Sequence, residues 1–282
     1  MPAVSVVVPY RNGAQFIPGF VLMLQSQSFM DWICFLVDDQ STDDGASIAG
    51  QSVDGDDRFE LLSFSGIKAF SGPAAVRNFA LAKVTTPLVA FCDVDDLWHP
   101  LKLERQLAFH EFHNLDLSVT GYWRFRDVSN FPVVSSRCPP EALSYRTLFG
   151  GNPIPMLSVI VRSDFLNDGM PEMCHEDFAL WLDVFRTNPG LRYGCLAEGL
   201  AFYRLHPGSI TSHRWKMPCW TFAVFRRQGL SALGLLQAML LWCAYQLRQL
   251  VYSFQIVRES NSMSLSVLLE RPPVRLRQGG LF

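Results

Sequence analysis

Phe91-Cys92-Asp93-Val94-Asp95-Asp96-Leu97-Trp98 ends an apolar run with three carboxylates in four positions. Leu88-Val89-Ala90-Phe91 follows Thr85-Thr86-Pro87 and shows no helical period, so it reads as a short buried strand. His99-Pro100 then turns the chain, and Pro100 suits the opening of a helix over Leu101 to Phe112. The carboxylates therefore lie at the carboxyl end of a strand, where open α/β sheets bind their ligands. On an extended segment Asp93 and Asp95 share one side. Two like charges there repel unless a cation neutralises them, and a hard divalent ion holding a phosphate fits that need.

Working outward, Val4 to Val8 is a β-branched run broken by Pro9-Tyr10-Arg11-Asn12-Gly13, and Phe16 to Leu24 carries enough apolar residues for a helix. Phe35-Leu36-Val37 reads as a second strand, closing on Asp38-Asp39-Gln40-Ser41-Thr42-Asp43-Asp44-Gly45, where Thr42 or Asp43 can cap a short helix. Phe59 to Phe64 gives a third strand, and Gly72-Pro73 opens a helix running to Lys83. Strand and helix alternate in units of about 25–30 residues, which predicts an α/β fold with a mostly parallel sheet flanked by crossover helices. Three strand ends carry polar clusters, so the crevice over that edge is the expected ligand site.

A second chemical centre is Met173-Cys174-His175-Glu176-Asp177. Phe178, Trp181, Leu182 and Phe185 follow with the spacing of one apolar helical stripe, so Asp177 falls in the first turn of a helix, where the dipole favours an ionised carboxylate. Adjacent helical residues point about 100° apart, so Glu176 and Asp177 cannot both face one ligand. Between the two centres, Gly150 to Pro155 precedes an expected strand from Met156 to Val161.

These segments occur in a recognisable order. Val-Val-Val-Pro-Tyr-Arg-Asn is followed by Gln27-Ser28-Phe29-Met30-Asp31-Trp32, Val37-Asp38-Asp39, Gly72-Pro73-Ala74-Ala75-Val76-Arg77-Asn78, the Asp93 motif, His175-Glu176-Asp177 and Tyr203-Arg204-Leu205-His206-Pro207-Gly208-Ser209. Over roughly residues 3–212 the series resembles the family 2 glycosyltransferases, most nearly those of bacterial teichuronic-acid and cell-surface polysaccharide synthesis. The resemblance implies a GT-A fold, a nucleotide-sugar donor (a UDP-sugar), a glycan or lipid-linked acceptor, a divalent metal (Mn²⁺ or Mg²⁺) and inversion at the anomeric carbon. It implies that Pro9, Tyr10, Arg11, Asp38 and Asp39 meet the nucleoside, and that Gly72, Arg77, Asp93 and Val94 complete the nucleotide site. It assigns the metal to Asp95 and Asp93 with His206, and the general base to Asp177. Glu176, Asn152 and Trp181 are the neighbours expected to meet or support the acceptor. Ser209 and Thr211 would flank a closing loop. One departure is Gln40, where the family pattern has Gly; Gln resists a positive φ, so a differently shaped loop is expected.

Charge divides the chain. The net charge is −2, yet residues 1–212 hold 15 Lys and Arg against 24 Asp and Glu, and residues 213–282 hold 9 against 2. This predicts a catalytic domain over 1–212 and a basic, apolar helical tail over 213–282. Gln228 to Leu247 has no charged residue, but glycine, serine and glutamine dilute it; Leu233, Leu236, Leu240, Cys243 and Leu247 fall on one helical face. The expected role is an interfacial helix on an anionic membrane surface, with flanking arginines at the headgroups. Nucleic acid is not an expected partner, because no RNA-binding aromatic motif accompanies the basic residues. Seven scattered cysteines without a C-x-x-C pair, and an N-terminus that reads directly as a strand, place the expected site of action in the cytoplasm at the inner membrane face. A nucleotidyltransferase would need a glycine-rich loop after the first strand, which Pro9 to Gly13 does not supply. The remaining rival is an inactive carbohydrate- or membrane-binding module of the same fold.

Overall fold

Strand β1 (Val4–Tyr10) is buried at all seven positions. That requires apolar cover on both faces of the sheet, and alternation along the strand supplies it. Val4, Val6 and Val8 face one layer with Cys34, Leu36, Ala90 and Cys92, while Val7 faces the other with Phe35, Val37, Val89 and Phe91. The computed structural model describes residues 2–67, 72–128, 131–206, 217–256 and 265–276.

Helix α1 (Ile17–Gln25), strand β2 (Trp32–Asp38), helix α2 (Gly45–Ser52), strand β3 (Phe59–Ser63), helix α3 (Ala74–Leu81) and strand β4 (Leu88–Phe91) follow in turn. Next come β5 (Leu97–Trp98), α4 (Lys102–Phe112), β6 (Leu117–Arg126), β7 (Val133–Arg137), the single turn α5 (Tyr145–Leu148) and β8 (Ile160–Arg162). Helix α6 (Glu176–Thr187) and the long strand β9 (Tyr193–Leu205) precede the tail helices α7 (Met217–Arg227), α8 (Ala232–Ile256) and α9 (Leu265–Glu270). One sheet runs β3-β2-β1-β4-β8-β6-β9-β5, with β7 beside β6. It is parallel from β3 to β4, as the alternating units predict, and mixed beyond, where β8 and β5 run antiparallel to their neighbours. The second half lacks the regular alternation that forces parallel pairing.

The strand expected from Met156 to Val161 begins later. Pro153 and Pro155 interrupt the approach, Ser158 Oγ donates to the Pro155 carbonyl at 2.9 Å, and Met156–Ser158 forms a 3₁₀ turn before β8.

The tail helices lie against the sheet domain. Phe225 of α7 packs on Phe149 and Phe178, and Ala238 and Trp242 of α8 belong to the main core. Leu265 and Leu268 of α9 join Trp123, Phe125 and Phe202. Past α9, Leu276 N donates to Ala197 O at 2.8 Å and Gly199 N to Val274 O at 2.9 Å, adding a short antiparallel bridge to β9. The boundary expected at 212–213 lies outside the described residues, as do Ser209 and Thr211.

Candidate active site

The parallel half of the sheet delivers the predicted strand ends to one edge. Tyr10 pairs with Asp38 across β1 and β2, and Val7 with Phe91 across β1 and β4, so the residues after all three strands share a crevice. Asp38 Oδ1 accepts from Ser41 N at 3.1 Å, and Asp39 N donates to Tyr10 O at 2.8 Å. Asp43 accepts from Ala14 N and Gly45 N, both at 3.0 Å, which ties the loop after β1 to the start of α2. Arg11 is exposed beyond β1 and Pro9 is buried within it. Tyr10 is only 5% exposed; desolvation, then Asp38 and Asp43, push its hydroxyl up to about 12. Its ring packs in the core beneath the crevice instead of lining it, as does Val94 at the edge of Gly13.

Gln40 takes φ +55° despite its side chain, so the loop keeps the conformation a glycine would adopt there. Its amide Nε2 donates to Gly66 O at 3.0 Å, a bond that offsets part of the backbone cost. The expected change of loop shape does not occur at this residue.

Asp93, Asp95 and Asp96 bring carboxylate oxygens within 4.8 Å of one another. Asp96 is buried and accepts from Arg204 N at 2.9 Å, holding the loop to β9. Arg204 Nε also donates to the Asp95 carbonyl at 2.6 Å, while its guanidinium lies over Phe16 and Phe125. Asp95 Oδ2 lies 2.9 Å from His206 Nε2. Burial, then Asp93, raises the Asp95 carboxyl; burial, then Asp95, raises Asp96 well above the ordinary carboxylate range. Oxygen donors whose ionised forms repel, with an imidazole nitrogen alongside, suit a divalent cation. The group whose ligand oxygens lie together is Asp93, Asp95 and Asp96, of which Asp96 is engaged by the Arg204 backbone; His206 is bonded to Asp95 and stands outside that group.

Arg77 lies on α3, as expected, and reaches the crevice. It is 3% exposed and bonded at both ends to acids. Nη2 donates to Asp93 Oδ1 at 2.6 Å and Nη1 to Glu176 Oε1 at 3.1 Å. The next residue repeats the function with neutral groups: Asn78 donates to Met170 O at 2.9 Å and accepts from Met170 N at 2.6 Å. Helix α3 thus staples the Asp93 loop to the segment leading into α6. Gly72, at φ +150°, precedes Pro73 and lets the chain enter that helix.

Asp177 sits in the first turn of α6. Asn152 Nδ2 donates to its Oδ2 at 2.8 Å and Phe178 N to its Oδ1 at 2.7 Å. Ile154 N donates to Asn152 Oδ1 at 3.1 Å, which fixes the amide so that its NH₂ faces the carboxylate. Burial raises the Asp177 carboxyl, and burial followed by the Asp177 charge raises Glu176. Glu176 turns to Arg77, and among the described residues Asp177 has no ion pair of its own. His175, just before the helix, is left-handed at φ +58° and its ring meets Trp220 of α7 edge-on at 5.3 Å. Trp181 is fully buried in the core and supports α6 from below, out of reach of a ligand.

The family 2 model for glycosyl transferases matches residues 5–178, the span that contains every motif named so far except the Arg204-His206 segment. The chain belongs to glycosyl transferase family 2. Among its relatives is a Bacillus subtilis (strain 168) protein named as a putative teichuronic acid biosynthesis glycosyltransferase, TuaG, 33% identical over 87% of this chain and 94% of that protein. Another is the Escherichia coli UDP-Glc:alpha-D-GlcNAc-diphosphoundecaprenol beta-1,3-glucosyltransferase WfgD, 28% identical over 76% of this chain and 81% of WfgD. In three dimensions the chain is similar to S. aureus TarS 1–349, crystallised with UDP-GlcNAc, with a TM-score of 0.66 and 21% identity over 87% of this chain and 72% of that one. The fold is therefore the GT-A fold, and this family 2 glycosyltransferase is an enzyme of the transferase class.

Sequence reasoning missed three residues that build the site. Arg204 was inside a quoted motif, but its neighbour His206 drew the assignment. Asn78 follows Arg77, and no spacing rule pairs it with Met170. Gln27 spans from Leu103 N to His99 O and so caps the start of α4, a long-range role no local pattern reveals.

Proposed function

We propose that this family 2 glycosyltransferase moves a sugar from a UDP-sugar to a lipid-linked glycan acceptor by a single displacement, with Asp177 as general base. The observation that carries this reading is the Arg77 bridge, which brings the Asp93 cluster and the Asp177 turn to one crevice from 84 residues apart in sequence (93 to 177). The acceptor oxygen attacks the anomeric carbon and its proton passes to Asp177, while the bond from that carbon to the phosphate oxygen breaks and UDP departs with inversion. A carboxylate made more basic by burial suits proton removal from a hydroxyl. It accepts from Asn152 and Phe178, yet has about four lone-pair positions, so one remains for the acceptor hydroxyl. Asp93, Asp95 and His206 would hold Mn²⁺ or Mg²⁺, which when bound offsets charge on the diphosphate. Asp38, Asp39 and Arg11 line the strand ends where the nucleoside would lie.

The acceptor class is supported by the diphosphoundecaprenol-linked substrate in the name of WfgD. Leu233, Leu236, Leu240, Cys243 and Leu247, the predicted helical stripe, are all exposed on α8 while Ala238 and Trp242 face the core. Exposed Arg226 and Arg227 end the preceding helix. Among the described residues no helix is long and apolar enough to cross a membrane. We assign this apolar stripe and Arg226 to the surface of an anionic bilayer at the cytoplasmic face; Arg227 is held by Asp183 at 2.9 Å.

The test is donor binding and turnover across a panel of nucleotide sugars, with Mn²⁺, Mg²⁺ or chelator. Metal-dependent binding of a UDP-sugar is expected, and Asp177→Asn should keep that binding while turnover falls by about 10²–10⁴-fold. Absence of binding to any nucleotide sugar would leave the inactive-module reading in its place.

A further inference from the structure

The two residues before Asp177 are engaged differently. Toward the carboxylate cluster lie Glu176 and Arg77, already bonded to each other. His175, the residue before Glu176, has a left-handed backbone, and its ring meets Trp220 edge-on at 5.3 Å. A histidine at positive φ is uncommon, and such strain persists where surrounding contacts fix it, often at functional sites. Burial lowers the His175 imidazole, so at neutral pH the pair is an uncharged aromatic corner. Trp220 is only partly buried. It heads α7, the helix that continues through exposed Phe222 to Arg226 and Arg227 and then to the exposed leucine stripe of α8.

Trp220 thus meets, through His175, the turn that carries Asp177, and its helix leads on to the exposed residues of α7 and α8. We infer that Trp220, steadied by His175, is the acceptor platform: the indole stacks on the apolar face of the acceptor's terminal pyranose and so fixes acceptor affinity. A pyranose presents C–H groups on one face and hydroxyls at its rim, so a flat, rigid aromatic can hold the ring while leaving a hydroxyl free for Asp177. The lipid portion of the same molecule would run along α7 toward α8. This rests on the glycosyltransferase reading above and adds to it the residue that selects the acceptor. Trp220 is a positioning residue; it takes no part in proton transfer.

The experiment compares wild type, Trp220→Leu and Trp220→Phe in two assays. One is hydrolysis of the UDP-sugar without acceptor, and the other is transfer to an N-acetylglucosamine diphosphate carrying a short alkyl chain. Donor hydrolysis should be unchanged in both variants. The acceptor KM should rise about tenfold in Trp220→Leu, the loss expected of one aromatic stacking contact, and return toward wild type in Trp220→Phe. An unchanged acceptor KM in Trp220→Leu would overturn the inference, as would a parallel fall in hydrolysis, which marks a structural role. Failure of the underlying reading is distinct: wild type would then neither hydrolyse nor transfer, and the inference would fall with it.

Discussion

Two polar regions lie beside β4 and β6, and they are built differently. In the crevice, Arg77 holds Asp93 and Glu176, and Arg204 holds the Asp95-Asp96 backbone, so charges are bonded yet several carboxylates stay raised by burial and mutual repulsion. Along the inner face of α4, Lys102, Gln106 and His110 recur every four residues and are also buried, but they form a chain of ordinary hydrogen bonds. Lys102 Nζ donates to Gln106 Oε1 at 2.8 Å and lies 4.0 Å from the Trp98 ring centroid. Gln106 Nε2 donates to Ser158 O at 2.8 Å and Ser118 O at 3.1 Å, and His110 Nδ1 meets Ser118 Oγ at 3.0 Å. The difference teaches what a functional polar cluster looks like. The α4 chain meets its needs internally and joins β6 to the 3₁₀ turn; the crevice retains unneutralised charge that a ligand can satisfy.

Removing Arg77 should produce the largest difference. Arg77→Met leaves Asp93 and Glu176 facing each other without a cation, and should cost about 2–4 kcal/mol, below the full buried-pair figure because the Asp93 side chain keeps 43% exposure. Urea unfolding measures it, and added divalent metal should recover part of the loss by neutralising Asp93. A variant as stable as wild type would break the contrast.

The second prediction concerns pH. Burial pushes the His110 imidazole down to about 4 from an ordinary 6.5. The unfolded chain therefore binds the proton more readily than the folded one, so the stability tied to neutral His110 is complete above pH 6.5 and is lost as pH falls from 6.5 to about 4. Asp116, Arg192 and Arg162 are the charged groups that act on this ring. The expected loss is about 2–3 kcal/mol across that window, and His110→Gln should flatten it in urea midpoints measured against pH. An unchanged profile in the variant would place the titration elsewhere.

Lys102 gives the smallest effect and the sharpest contrast with Arg77. Burial pushes its ammonium down to about 7. Lys102→Met removes that desolvation but strands Gln106 Oε1, so a net stabilisation on the order of 1 kcal/mol at pH 7 is expected. A thermal or urea midpoint below wild type would mean that the cation over Trp98 contributes more than its burial costs.

Much of the site was legible because its residues sit where local rules act. Asp93 and Asp95 follow a strand that the apolar run defines, and Asp177 opens a helix that the Phe178-Trp181-Leu182-Phe185 spacing defines. The stripe of α8 was legible for the same reason: a helical period states which residues share a face, and the structure exposes that face. Trp181 shows the limit of such reading, since an aromatic near a site can serve either the ligand or the core, and only packing decided for the core.

The sequence by itself determined the elements, the order of the motifs and the family, because strand, helix and turn preferences act over a few residues and ordered motifs are specific in combination. Tertiary structure alone decided that Arg77 bridges two acids, that Arg204 holds the Asp95-Asp96 loop, that β8 runs antiparallel and that Trp220 meets His175. Each of these joins residues through space across many positions of chain. Side-chain direction and burial then set partners that no local preference encodes.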